Sequence, residues 1–217
     1  VLDKKGNVVD TWVSTDEAHA IKNLKVKETY TLHEEIAPKG YVIARSVEFV
    51  VINTGVVQKA TMIDKIVTAH KVDMNAENMV GATLEVYEVT IGESEDKEAT
   101  MTYGDLVDTW VSDENTHDID CLEEGKDYFL VEKEAPEGWV KANPVVFHVS
   151  YDKENQDVTM TDIRVKAHKY DETAETYVVG ASLEVRDADD NVVDSWITTD
   201  EYHYISGLEA GKSYSLV

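Results

Sequence analysis

The 217-residue sequence predicts an all-β protein built from tandem β-sandwich repeats. Three observations carry that prediction. Short runs rich in β-branched and aromatic residues recur every ~8–12 residues between turn signals. Helical periodicity is weak along the whole chain. The same landmarks return at one fixed spacing, which is the signature of a repeat architecture.

The repeats set the frame. Val9-Asp-Thr-Trp12-Val-Ser returns as Val107-Asp-Thr-Trp110-Val-Ser and as Val193-Asp-Ser-Trp196-Ile-Thr. Glu34-Glu-Ile-Ala-Pro38-Lys-Gly40-Tyr41-Val returns as Glu132-Lys-Glu-Ala-Pro136-Glu-Gly138-Trp139-Val. Thr61-Met-Ile-Asp64 matches Thr159-Met-Thr-Asp162, and Ala69-His-Lys71-Val-Asp73 matches Ala167-His-Lys169-Tyr-Asp171. Trp12 to Trp110, Glu34 to Glu132, Asp64 to Asp162 and Lys71 to Lys169 are each 98 residues apart. Residues 67–164 therefore read as a complete repeat, 1–66 as one lacking its first strands, and 165–217 as one lacking its last strands. The parent polypeptide is expected to continue both ways, with a Lys upstream of Val1 and a Glu after Val217.

Element by element, Tyr30-Thr-Leu32, Val47-Glu-Phe-Val-Val-Ile52 and Val145-Val-Phe-His-Val149 read as strands, with lengths of about 5–7 residues expected overall. Asp3-Lys-Lys-Gly-Asn7 and Asp187-Ala-Asp-Asp-Asn191 read as polar hairpin tips. The middle repeat carries a longer hairpin, Thr90 to Tyr103, with Glu93-Ser-Glu-Asp-Lys-Glu98 in it. Two of the three prolines lie in the repeated Ala-Pro-x-Gly turn. No Pro/Gly/Ser-rich linker separates the repeats. Ile63–Lys71 reads as strand running into strand, which implies stiff end-to-end stacking.

Composition narrows the function. Asp plus Glu number 44 against 20 Lys plus Arg, a formal net charge of -24. That balance argues against nucleic-acid partners and against anionic membranes, both of which select basic surfaces. No apolar run approaches the ~20 residues of a membrane span. Cys121 is the single cysteine, so no intrachain disulfide forms. There is no nucleophile elbow, phosphate loop or metal cluster, so neither an enzyme nor a cofactor is expected. Asp187-x-Asp189-x-Asn191 starts like a calcium loop, but Val192 stands where Gly is needed and Thr198 where Glu is needed. Trp12, Trp110 and Trp196 read as core or sheet-face residues. His19, His117 and His203 read as strand-entry residues, since one His per repeat makes no ligand set.

The order Lys-x-Asp, Gly-Ala-x-Leu-Glu-Val, Trp-(Val/Ile)-(Ser/Thr), Glu-x-x-Ala-Pro-x-Gly-(Tyr/Trp) and Thr-Met-x-Asp resembles the Cna protein B-type, or SpaA-type, domains of Gram-positive surface adhesins and pilins. The resemblance covers essentially the whole chain. It implies tandem transthyretin-like, Ig-like β-sandwich modules and a spontaneous amide between a first-strand Lys and a last-strand Asn or Asp, assisted by a buried Glu. Carried over, Lys71 is the nucleophile, Asp162 the acyl partner and Glu132 the acid/base. The first repeat offers Glu34 and Asp64, and the third offers Lys169. Taken singly, Lys71 reads as an exposed strand lysine beside Asp73, Glu132 as a surface charge and Asp162 as a strand-end turn residue.

The implied chemistry is physically coherent. A lysine with pKa ~10.4 is charged in water and cannot attack. Burial disfavours that charge, and a buried carboxyl pair resists double ionisation. Holding the groups together removes a bimolecular cost that reaches about 7–11 kcal/mol. The reaction turns over once, so it is not enzymic. The function implied is a stalk or fibre shaft outside a Gram-positive cell, with neighbouring modules and further pilin or fibre subunits as partners. The alternative is an adhesin module that binds a host or matrix ligand through its loops, with the Thr90–Tyr103 hairpin as the candidate surface.

Overall fold

The computed structural model describes residues 1–93, 99–152 and 155–217. The hairpin residues 94–98 singled out above lie outside the described residues. Among the described residues every regular element is a strand. The chain divides into two compact units: residues 1–67, 119–125 and 149–156 form the first, and 68–118, 126–148 and 157–217 the second.

In the first unit β1 (Leu2–Asp3), β2 (Thr29–Leu32) and β3 (Val47–Val50) make an antiparallel sheet in that order. Tyr30 faces Phe49 across the ladder, with ring centroids 6.0 Å apart, and Tyr30 is buried. The Asp3 carboxylate accepts the amides of Lys5 and Asn7, which closes the polar tip as an Asx turn. The strand expected from Ile63 begins only at Ile66: β4 spans Ile66–Val72. Lys65 makes a lone bridge with Val42, and a strand needs a continuous partner to satisfy its backbone.

In the second unit β5 (Thr83–Glu93) and β6 (Ala99–Val111) form a hairpin far longer than the expected strand length. β7 (His117–Asp118), β8 (Asp127–Glu134), β9 (Val145–His148) and β10 (Asn155–Thr161) complete the middle repeat. Two sheets result, ordered β6-β5-β8-β9 and β10-β4-β7. Alternate residues of each strand turn inward. Leu84 and Val86 of β5, Tyr128 and Leu130 of β8, and Val158 and Met160 of β10 are all buried. This is the inside/outside alternation of a sandwich.

The third repeat supplies β11 (Lys166–Ala167), β12 (Tyr170–Asp171), β13 (Thr176–Tyr177), β14 (Ser182–Arg186), β15 (Val192–Ile197), β16 (His203–Tyr204) and β17 (Ser215–Leu216). β11 pairs with β16, as β4 pairs with β7. Val185, Ile205 and Leu208 of this repeat form a small core, and Val140 of the middle repeat is its fourth buried member.

Candidate functional site

Three strands of the second unit end their inward series on a charge. β4 runs Val67, Ala69, Lys71; β8 runs Tyr128, Leu130, Glu132; β10 runs Val158, Met160 and then Asp162 just past its end. All nine positions are closed to solvent, with Lys71 5%, Glu132 0% and Asp162 1% exposed. Position in the alternation, rather than residue type, sends these three side chains inward. The single-residue readings of a surface lysine, a surface glutamate and a turn aspartate do not hold.

The three side chains meet. Lys71 Nζ donates to Asp162 Oδ1 and lies 3.0 Å from Glu132 Oε1. The remaining Glu132 oxygen accepts the Ala142 amide at 2.7 Å. The backbone fixes the partners: the Asp162 amide donates to the Val72 carbonyl and the Met79 amide to the Lys71 carbonyl. A register shift in the β5–β8 ladder falls at Glu132, where Leu84 faces Glu132 while Thr83 faces Glu134. Such a bulge re-aims a side chain beside it.

Electrostatically the site is one cation between two carboxyls in a dry place. Burial pushes the Asp162 carboxyl up to about 7; contact with Lys71 pulls it down, and Glu132 pushes it up again. Asp162 Oδ2 accepts no hydrogen bond and Glu132 Oε1 meets only the Lys71 Nζ at 3.0 Å, so a proton on this pair would have an oxygen to occupy. The site thus sets an amine beside a carboxyl that holds its proton more tightly than usual.

The first repeat shows the corresponding half. The Glu34 carboxylate accepts the Ala44 amide at 2.8 Å, matching Glu132 and Ala142. Burial raises the Glu34 pKa, and Asp64 adds to the rise. Asp64 is exposed. Lys169 keeps its backbone setting, since the Val178 amide donates to its carbonyl, but its side chain is exposed.

Sequence reasoning missed one constellation. Each repeated Trp lies flat on the repeated His, with centroids at 4.3 Å for Trp12–His19, 4.0 Å for Trp110–His117 and 4.2 Å for Trp196–His203. The same imidazoles meet Asp10, Asp108 and Asp194 at 3.0, 2.8 and 2.8 Å. The signal was present as an Asp two residues before each Trp, inside the Val-Asp-(Thr/Ser)-Trp box.

The sequence profile of the SpaA prealbumin-like fold domain matches residues 1–66 and again 65–164. Comparison with curated proteins finds no match. Among solved structures, a streptococcal ancillary pilin matches at 16% identity and a TM-score of 0.38, over 84% of this chain and 63% of its own. The pilus 2b backbone protein of group B streptococcus matches at 16% identity and 0.34, over 54% and 43%. The shaft pilin SpaA of Lactobacillus rhamnosus GG matches at 12% identity and 0.32, over 69% and 77%. The chain thus spans less than two thirds of the ancillary pilin it resembles. Two profile matches laid end to end over most of the sequence, on an all-strand fold, place this chain in the SpaA prealbumin-like domain family.

Proposed function

We propose that this chain is a shaft or stalk segment of a Gram-positive surface protein or pilus, and that Lys71 and Asp162 become joined by an amide with Glu132 as the acid/base. The supporting observation is the buried contact of one amine with two carboxyls on strands of two different sheets. Proton transfer from Nζ into the carboxyl pair leaves a neutral amine and a protonated acid. Nζ then attacks Cγ of Asp162. One N–C bond forms, one C–O bond breaks, and the oxygen leaves as water. Glu132 takes a proton from the nitrogen, returns it to the departing oxygen, and ends as it began. Glu34 with Asp64, and Lys169, belong to the same chemistry in the flanking repeats.

Such a bond ties β4 to the end of β10, so tension along the chain loads a covalent link before the hydrogen-bond ladders. Intact mass of the 217-residue chain tests it. The expected value is one water, about 18 Da, below the sequence mass, restored in full by Glu132→Ala, which removes the acid/base. A folded wild-type chain at full sequence mass overturns the proposal.

A second reading, ligand binding through the β5–β6 hairpin, is favoured by Ile91, Met101 and Tyr103, which are 67%, 56% and 52% exposed. Isolated exposed apolar residues are common, but three on one hairpin form a patch. Loss of adhesion to host matrix on shortening the hairpin would support it, and unchanged adhesion would reject it.

A further inference from the structure

Among the described residues β6 is the longest strand, and it lies at the edge of its sheet with β5 as its one neighbour. An edge strand turns alternate N–H and C=O groups outward, a template that folded proteins blunt with short length, charge, proline or a bulge. The other three edges of the middle repeat are blunted in these ways. β7 has two residues, and β9 has four and follows Pro144. β10 carries Asp157, whose carboxylate meets His70 at 2.9 Å.

β6 itself is blunted along only part of its length. Val89 faces Tyr103 while Tyr87 faces Leu106, so a bulge falls at Gly104 and Asp105. Gly104 is suited to it, since a Cβ there would lie 2.7 Å from Thr90 Oγ1 and 3.2 Å from the Glu88 carbonyl oxygen. Further on, the Asp108 carboxylate accepts the Thr109 amide at 2.7 Å and meets His117 at 2.8 Å. On the other side of the bulge no such device is present. Register with β5 is regular from Val89–Tyr103 to Glu93–Ala99. Thr100-Met-Thr-Tyr103 contains no charge and no proline. Apart from β5, no segment among the described residues bonds to the backbone of 99–103.

This open stretch adds nothing to the core. β5 pairs with β8 only as far as Glu88, so 89–93 and 99–103 run past β8 as a two-stranded ribbon. The third repeat has no counterpart: β14 and β15 have five and six residues, against eleven and thirteen in β5 and β6. Ile91, Met101 and Tyr103 share one face of the ribbon, because Ile91 faces Met101 across the ladder and Tyr103 is two residues on. All three are exposed. Tyr103 is held against Tyr87 and Phe129, with centroids at 5.3 and 4.8 Å. On the opposite face the Thr100 and Thr102 hydroxyls bond to the Gly92 and Thr90 carbonyls at 3.4 and 3.2 Å. A ribbon ordered in this way loses little entropy when a partner docks.

We infer that 99–103 is a strand-acceptor edge, which captures an extended, cationic segment of a partner protein as an added strand whose alternate apolar side chains cover Met101 and Tyr103. An extended segment fits because the open groups are backbone donors and acceptors in a row, which another strand fills continuously. A cationic one fits because the chain carries 44 Asp plus Glu against 20 Lys plus Arg, and Asp105 borders the open stretch. The same charge opposes a second copy of this chain as the occupant. The inference rests on the second reading above for its site and is independent of the proposed amide.

The probe is the dye-labelled peptide Lys-Lys-Val-Thr-Val-Thr-Val-Lys-Lys, titrated against the 217-residue chain. Saturable binding is expected, weakening as salt screens the flanking lysines from the acidic surface. Met101→Lys puts a like charge on the edge and should weaken binding about tenfold or more, with the melting curve of the chain unchanged. Methylating alternate amides along one side of the peptide should do the same without any change in the protein. In the bound state the outward amides of 100–103 should exchange about tenfold more slowly. No saturable binding, or binding that survives both Met101→Lys and methylation of either side of the peptide, overturns the inference. A dimer of the chain that Met101→Lys dissolves gives the edge to a second copy and overturns it too. Adhesion to host matrix separates the inference from the reading beneath it. Adhesion lost on shortening the hairpin, with no peptide bound, overturns the inference and leaves the second reading standing. Peptide binding with unchanged adhesion supports the inference and rejects the second reading.

Discussion

Glu132 Oε1 lies 3.0 Å from Lys71 Nζ, and the two side chains are 0% and 3% exposed. A glutamate and a lysine thus occupy positions that the strand alternation reserves for core residues. An ion pair so placed contributes little net stability, because desolvation offsets the attraction.

Without the covalent bond, stability should fall as pH rises. Asp162 binds its proton more tightly folded, at about 7, than unfolded, near 3.9. The folded state therefore holds the extra proton between those values, and stability drops as pH climbs through that window. Burial, the largest cause of the rise, persists when Glu132 is replaced, so urea unfolding of the unlinked Glu132→Gln chain is expected to show a lower midpoint at pH 8 than at pH 5. An equal or higher midpoint at pH 8 would contradict the raised carboxyl.

Removing the amine should cost the middle repeat heavily. A bond from Lys71 to Asp162 closes a loop of nearly the whole repeat, worth roughly 4.7 kcal/mol for about 100 residues on the chain-entropy model. At about 4–8 °C per kcal/mol, Lys71→Ala should lower Tm by tens of degrees. Calorimetry that shows a drop of only a few degrees would mean no cross-link exists.

Gly125 and Gly211 make a controlled pair at one repeat position. Both are left-handed, with φ of 81° and 76°. A Cβ at Gly125 collides with the ring and hydroxyl of Tyr151, while one at Gly211 meets nothing within 4 Å. Gly211→Ala should cost about 1–2 kcal/mol, the left-handed penalty alone. Gly125→Ala should cost more, because Tyr151 must also move. Equal losses in chemical denaturation would remove the clash from the account.

The stacked Trp–His pair should be worth measuring by deletion. His117 lies on Trp110 at 4.0 Å and meets Asp108 at 2.8 Å. The stack and the hydrogen bond together predict a loss of about 1–2 kcal/mol for His117→Ala. A shift of the Trp emission towards that of an exposed indole should accompany it. Unchanged stability and unchanged emission would show that the stack does not hold the β6–β7 connection.

The sequence by itself determined the fold class, because strand alternation and turn residues are local and were repeated often enough to be unmistakable. It also determined which residues share a repeat position, and so paired Glu34 with Glu132 and Lys71 with Lys169 before any contact was known. Tertiary structure alone decided that Lys71, Glu132 and Asp162 touch, since 91 residues separate the lysine from the aspartate, the pairing of β4 with β10 in one sheet closes that distance, and the facing sheet brings in Glu132. It decided too that Val140 belongs to the core of the next repeat and that Asp108 is the partner of His117. The β5–β6 strands outgrew their expected length because their cross-strand pairing continues from Thr83–Val111 out to Glu93–Ala99, beyond the stretch where β5 also pairs with β8, and pairing rather than composition limits such a hairpin. Contacts between elements distant in sequence depend on how faces pack, and no local pattern encodes which face meets which.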